Sequence, residues 1–185
     1  MELSLLYSIP RTDFLDKFFL FFTKLPGSIE QLWLIVGIAL CISKKTRKTG
    51  AAVLVSFFGV LLFGELLLKH LVIRTRPCQI DQAFAMLIER PTSSSFPSTH
   101  SAFAFGAATA IFMNYRKAGV AAFIVAALVA ISRLYLFVHF PTDVLCGIVL
   151  GILVGFAAVR ICDVAEKKMK KKNKEGQQNR RKQSA

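Results

Sequence analysis

Residues 29–43, 51–73, 98–113, 119–138 and 142–161 form five apolar runs, separated by short polar or basic stretches and, after the second, by a longer polar segment over 74–96 that reads as a loop or short interfacial piece. Runs of that length exceed what a soluble core needs, and they approach what a helix requires to cross a hydrocarbon layer of about 30 Å. With 54% hydrophobic residues in 185 and a mean hydropathy of +0.52, the chain reads as one membrane-embedded domain. The fold class this implies is all-α: a polytopic bundle of five transmembrane helices. Residues 11–24 are aromatic-rich but carry Asp13, Asp16, Lys17 and Lys24 within about four helical turns. They read as an interfacial amphipathic helix, with a short sixth span as the alternative. Leu25-Pro26-Gly27-Ser28 should end that helix and can cap the next.

Charge sets the expected orientation. The formal net charge of +13 suits nucleic acid in principle, but the Lys and Arg residues sit in short loops and at the C-terminus rather than on one face. Membrane topology explains them, and no nucleic-acid partner is expected. Five crossings put residues 44–48, 115–117 and the tail on one side, which by the positive-inside rule is cytoplasmic. The opposite, exterior side then carries the ionisable clusters described below. Residues 1–27 are expected as an N-terminal interfacial segment, 28–166 as the transmembrane domain, and 167–185 as a basic tail without regular structure, in contact with anionic inner-leaflet lipids. The start Met1-Glu2-Leu3 lacks the basic flank of a cleavable signal, so the first membrane segment is expected to be retained. Cys41, Cys78, Cys146 and Cys162 have no metal-ligand spacing, and no disulfide is expected.

Small residues recur every fourth position at Gly147, Gly151 and Gly155 and again at Ala102, Gly106 and Ala110. Such faces let helix backbones approach closely in lipid. Packing inside one subunit is the simpler reading, and homodimerisation is the alternative.

Three polar clusters lie at the ends of these runs, where an ionisable group is costly and marks function by default. Lys69 precedes Arg76-Pro77 by seven positions, close to two helical turns, so both cations are expected on one face. Glu65 is placed to pair with Lys69 four residues later. Pro77 should take Arg76 out of helical geometry. Pro97-Ser98-Thr99-His100 opens the third run: the Ser98 hydroxyl and first-turn amides can meet an anion there, and His100 can exchange a proton with it. Ser132-Arg133, His139 and Asp143 form the third cluster, in which a carboxylate on one imidazole nitrogen would leave the other nucleophilic.

In order and spacing, Lys69-x6-Arg76-Pro77, Pro97-Ser98-Thr99-His100 and Ser132-Arg133-x5-His139-x3-Asp143 resemble the three-part signature of the type 2 phosphatidic acid phosphatase superfamily. The resemblance covers residues 69–143 and implies a metal-independent, cofactor-free membrane enzyme working through a phosphohistidine. It assigns His139 as nucleophile, Asp143 as the group orienting it, and His100 as acid and then base. Lys69, Arg76, Arg133, Ser98 and the amide of Thr99 would bind the phosphoryl oxygens. Thr99 departs from the pattern, since glycine is commonest there, which makes the close approach of backbone to phosphate less assured. The implied substrate is a membrane lipid phosphate. Undecaprenyl diphosphate is favoured over phosphatidylglycerophosphate, phosphatidic acid and lipid A. A phosphotransferase or a non-catalytic lipid-phosphate transporter are the alternatives from other classes.

Overall fold

The computed structural model describes residues 2–24 and 29–183, and among them every regular element is helical. Two short N-terminal helices, α1 (Glu2–Tyr7) and α2 (Asp13–Lys24), precede the bundle. Helix α3 (Ile29–Ile42) turns back on α4 (Arg47–Val60), and Thr46 closes the reversal by donating its hydroxyl to the Leu40 carbonyl at 2.7 Å. The α4 rod continues as a wider π-helical stretch, Leu61–Leu68, and then α5 (Lys69–Leu71). A loop carrying the single-turn α6 (Pro77–Ile80) leads to α7 (Thr99–Asn114), α8 (Arg116–Tyr135) and α9 (Pro141–Gln183).

Arg47–Leu71, Arg116–Tyr135 and Pro141–Glu175 are long and apolar enough to cross a membrane, which makes this a multi-pass membrane protein. Its surface supports that reading. Ile124 and Ile131 on α8 and Leu145, Val149 and Leu153 on α9 point outward, while the interior is lined largely by Ala and Gly. That inversion suits lipid as solvent, because apolar tails give large side chains no reason to turn inward.

Helix α7, at 16 residues, is the axis of the bundle and packs on α4, α8 and α9. Its small inward residues meet the glycines of α9 at close range. A Cβ built on Gly147, Gly151 or Gly155 would lie 2.3, 2.4 or 2.5 Å from the carbonyl oxygens of Ser98, Ala102 and Gly106 respectively. Both stripes are therefore spent within one chain, against each other. A valine at Gly151 has backbone on the far side of the contact and cannot be relieved by a side-chain rotation. Gly151→Val should cost about 1–3 kcal/mol or more, read as a lower melting temperature in detergent. The site described below should be disturbed with it, because α7 and α9 each begin there.

The two ends of the bundle differ in charge. At one, the Tyr115 hydroxyl donates to the Lys45 carbonyl at 2.8 Å, and Lys48 pairs with Asp163 at 2.5 Å and Glu166 at 3.1 Å. The basic loops and the start of the tail thus gather together. At the other end lie Arg76, the start of α7 and the start of α9.

Three expectations need correction or completion. Lys69 and Arg76 do not share a helical face: the helix stops at Leu71, Val72 is extended, and Arg76 sits in extended backbone just ahead of Pro77. Branched side chains at Val72, Ile73 and Thr75, together with the proline, disfavour continuing the helix. The basic tail, expected without regular structure, continues α9 to Gln183. Lys170–Glu166 and Lys171–Glu175, each four residues apart, support it at 2.5 and 3.9 Å. Helix α2, at 12 residues, is about 18 Å long and too short to span. It lies beside α8, with Phe19 buried 4.5 Å from the Tyr135 ring and Phe14 and Phe21 exposed. The expected break at Leu25–Ser28 falls outside the described residues.

Candidate active site

The geometry is clearest around His139. It lies in the buried turn between α8 and α9, where Phe137 takes a left-handed conformation (φ 60°) that reverses the chain within a few residues. Nδ1 of His139 sits 2.7 Å from the Ser95 carbonyl oxygen, which can only accept, so Nδ1 carries the proton. Nε2 is then the unprotonated nitrogen, 3.2 Å from Nη1 of Arg76, which donates to it. Burial holds the imidazole down to a pKa of about 4, so the ring is neutral at physiological pH. A nearby carboxylate and the Ser95 contact only partly offset that effect.

Arg76 is almost fully buried and uses all five N–H donors within the protein. Nε donates to the Ser93 carbonyl at 2.8 Å, and Nη2 to the Ser93 hydroxyl and Ser94 carbonyl at 3.0 and 3.2 Å. Nη1 donates to the Val138 carbonyl at 3.0 Å as well as to His139. One guanidinium therefore ties the loop after α6 to the turn that carries the imidazole.

Asp143 lies beside the ring without a direct hydrogen bond to it. Its Oδ2 is 3.9 Å from Nδ1 of His139, too far for a hydrogen bond. That oxygen instead accepts from the Ser95 hydroxyl at 2.6 Å and the Phe140 amide at 2.9 Å. Oδ1 accepts from Arg74 at 2.5 Å. Asp143 is thus linked to the ring through Ser95, whose hydroxyl donates to it and whose carbonyl accepts from Nδ1. Arg74 also reaches Thr142 at 2.7 Å and Glu2 at 2.5 Å, and lies 4.2 Å over the Phe140 ring.

The third segment closes the site. Ser98 and Thr99 are buried, and the Ser98 amide donates to the Asp143 carbonyl at 3.0 Å, which joins the starts of α7 and α9. The Ser98 hydroxyl makes no helix cap and lies 2.9 Å from that of Ser101. The Thr99 methyl lies close to Gly64, where an added Cβ would approach it to 3.2 Å, so the β-branched residue fills the space against the π-helical stretch. His100, one residue into α7, is half-buried. Arg133, His139, Lys69 and Arg76 all act on it electrostatically, which places the three cations and both histidines in one neighbourhood. Lys69 is held by Glu65 at 2.7 and 2.8 Å, the expected i,i+4 pair. Arg133 donates from Nε to the Ser132 hydroxyl at 3.0 Å.

Three residues that sequence reasoning passed over belong here: Arg74, Ser95 and Glu30. Arg74 stands two positions before Arg76 and was overshadowed by it. Ser95 closes Ser93-Ser94-Ser95, which reads as an ordinary loop. Glu30 has a carboxylate oxygen 3.3 Å from Nδ1 of His100, and nothing in its local pattern links it to a residue 70 positions away.

A neutral imidazole presenting an unprotonated nitrogen, with three cations nearby and a second histidine at a helix start, can attack an electrophile that carries anionic oxygens. Fold and site together define a polytopic helical membrane protein with a cationic, two-histidine end. The chain belongs to the PAP2 superfamily, whose family model matches residues 49–166. It is 34% identical over 133 residues to an undecaprenyl-diphosphatase of Sulfolobus acidocaldarius, a match covering 71% of this chain and 64% of that protein. Its fold superposes on the crystal structure of a transmembrane PAP2-type phosphatidylglycerolphosphate phosphatase from Bacillus subtilis with a TM-score of 0.68 and 30% identity, covering 87% of this chain and 83% of that one. Aquifex aeolicus LpxE is similar at a TM-score of 0.67 and 28% identity, covering 85% and 92%.

Proposed function

We propose that this chain is an integral membrane lipid phosphatase that works through a phosphohistidine on His139, with undecaprenyl diphosphate as its substrate. The observation that carries this reading is the Ser95–His139–Arg76 line, which protonates Nδ1 and leaves Nε2 free of a proton beside a cation. Membership of a phosphatase family and the likeness to an undecaprenyl-diphosphatase support the activity and the lipid.

Nε2 of His139 attacks phosphorus, and the bond to the leaving oxygen breaks with its electron pair going to that oxygen. His100 supplies the proton. Water then attacks the phosphorus of the phosphohistidine, giving its proton to His100 as the P–N bond breaks, and inorganic phosphate leaves. Lys69, Arg76, Arg133, the Ser98 hydroxyl and the Thr99 amide bind the phosphoryl oxygens, and Arg76 Nη1 transfers its hydrogen bond from Nε2 to an incoming oxygen. Asp143 fixes the ring through Ser95. The shorter helices α3 and α7 complete five crossings, the basic end faces the cytoplasm, and the site opens to the exterior of the cytoplasmic membrane.

Side-by-side assay of undecaprenyl diphosphate, phosphatidylglycerophosphate, phosphatidic acid and lipid A on purified protein tests the substrate. Fastest release from undecaprenyl diphosphate, undiminished by a chelator, is expected. Activity that a chelator removes and added metal restores would sink the mechanism. The acid limb of kcat/KM carries a second test. His139 is unprotonated above its pKa of about 4, so that limb, corrected for ionisation of the substrate phosphate, should lie near pH 4. A limb near ~6.5, the ordinary imidazole value, would mean that the ring is not buried in the working enzyme.

A further inference from the structure

If His100 is the proton donor of the proposed reaction, it must hold a proton while surrounded by cations. Lys69 from α5, Arg76 from the loop before α6, Arg133 from α8 and the His139 ring all act on it electrostatically. Each of these cations disfavours a protonated imidazole. Asp143, on the neighbouring start of α9, is committed to Ser95, Phe140 and Arg74. Glu65 is committed to Lys69. The next carboxylate is Glu30, in the first turn of α3, 3.3 Å from Nδ1 of His100, with Lys69, Arg133 and Glu65 also acting on it electrostatically. Neither member of this pair is sealed off: the side chains are 34% and 29% exposed, so a substrate and water can reach the imidazole.

We propose that Glu30 is the positioning residue of His100, a carboxylate that keeps the proton on this imidazole against the surrounding cations and turns Nε2 toward the leaving oxygen. The site then contains two differently supported histidines. His139 has a carbonyl on Nδ1, stays neutral and attacks. His100 has a carboxylate on Nδ1, is held protonated, and delivers its Nε2 proton as the P–O bond breaks. The first membrane helix, which contributes no residue to the three signature segments, becomes part of the machinery. This inference rests on the phosphohistidine reading above.

The test is a double-mutant cycle on phosphate release from undecaprenyl diphosphate in detergent, with Glu30→Gln, His100→Gln and the two combined, each measured across pH. Removing the charge should lower the pH at which His100 gives up its proton. The alkaline limb of the kcat profile in Glu30→Gln should therefore move down by about one pH unit, with KM changed less than twofold. If Glu30 acts through His100, the double variant should be no slower than His100→Gln alone, within about twofold. Multiplying losses, or a lowered rate with an unmoved limb, would overturn the inference and leave Glu30 a packing residue. Glu30→Asp keeps the charge on a shorter arm and should show a smaller displacement. If Glu30→Gln does not fold, an unmoved limb in Glu30→Asp overturns the proposal equally. The two levels of inference fail separately: activity surviving in His139→Ala removes the phosphohistidine reading, whereas an inert His139→Ala beside an unaffected Glu30→Gln removes only this one.

Discussion

Replacing His139 by alanine should abolish turnover, with a loss on the order of 10⁵-fold or more, because it removes the proposed nucleophile, the imidazole nitrogen beside Arg76. The fold should survive. The ring is held by one carbonyl and one guanidinium N–H, and its loss orphans only the Ser95 carbonyl and one of the five Arg76 donors. The measurement is phosphate release beside thermal unfolding in detergent. Rapid quench of the wild type with labelled substrate should trap protein-bound phosphate that is acid-labile and alkali-stable, as a P–N bond is. A label retained in His139→Ala would place the covalent step on another residue.

Arg76→Lys keeps the charge and should still be severe, in stability as well as rate. The guanidinium joins Ser93 and Ser94 to Val138 and His139 across 17 to 63 residues of chain. An ammonium has three donors on a single atom and cannot reach both sides in that fork. At least two buried carbonyls would lose their partners, for a combined cost on the order of 3 kcal/mol. The turn carrying His139 would loosen, and the rate should drop by roughly 10²–10³-fold, the scale for removing one charge-stabilising donor. A variant that melts like wild type while losing activity would show that Arg76 serves only the bound phosphate. One that keeps both would remove Arg76 from the site.

Much of the fold was legible because its determinants are local. The apolar runs, the proline that opens α6 and the basic loops fix helices, breaks and ends through interactions within a few residues or with the bilayer. The Glu65–Lys69 pair was legible for the same reason, lying one turn apart. The shared face of Lys69 and Arg76 was misread because counting seven residues assumes that the helix continues, and branched residues before Pro77 end it. The tail was misread because its charge suggested a solvated coil, although Lys170 and Lys171 each stand four residues from a glutamate, Glu166 and Glu175, which supports a helix.

The role of Asp143 shows where sequence reasoning stops. Four residues after His139, it suggests a direct carboxylate–imidazole pair, yet Ser95 intervenes from 44 positions upstream of the ring. Arg74, Ser95 and Glu30 carry no mark in their own surroundings, since a serine in a serine-rich loop and a glutamate at a helix start are unremarkable locally. Sequence alone determined the membrane class, the long apolar helices, the three polar segments of the family signature and the small-residue stripes. Tertiary structure decided that those stripes close on each other, which partner holds each histidine nitrogen, and that α3 brings a carboxylate to the site. Spacing records what neighbouring residues can do, whereas a proton's position on an imidazole depends on atoms brought within 3 Å or so by packing between distant helices.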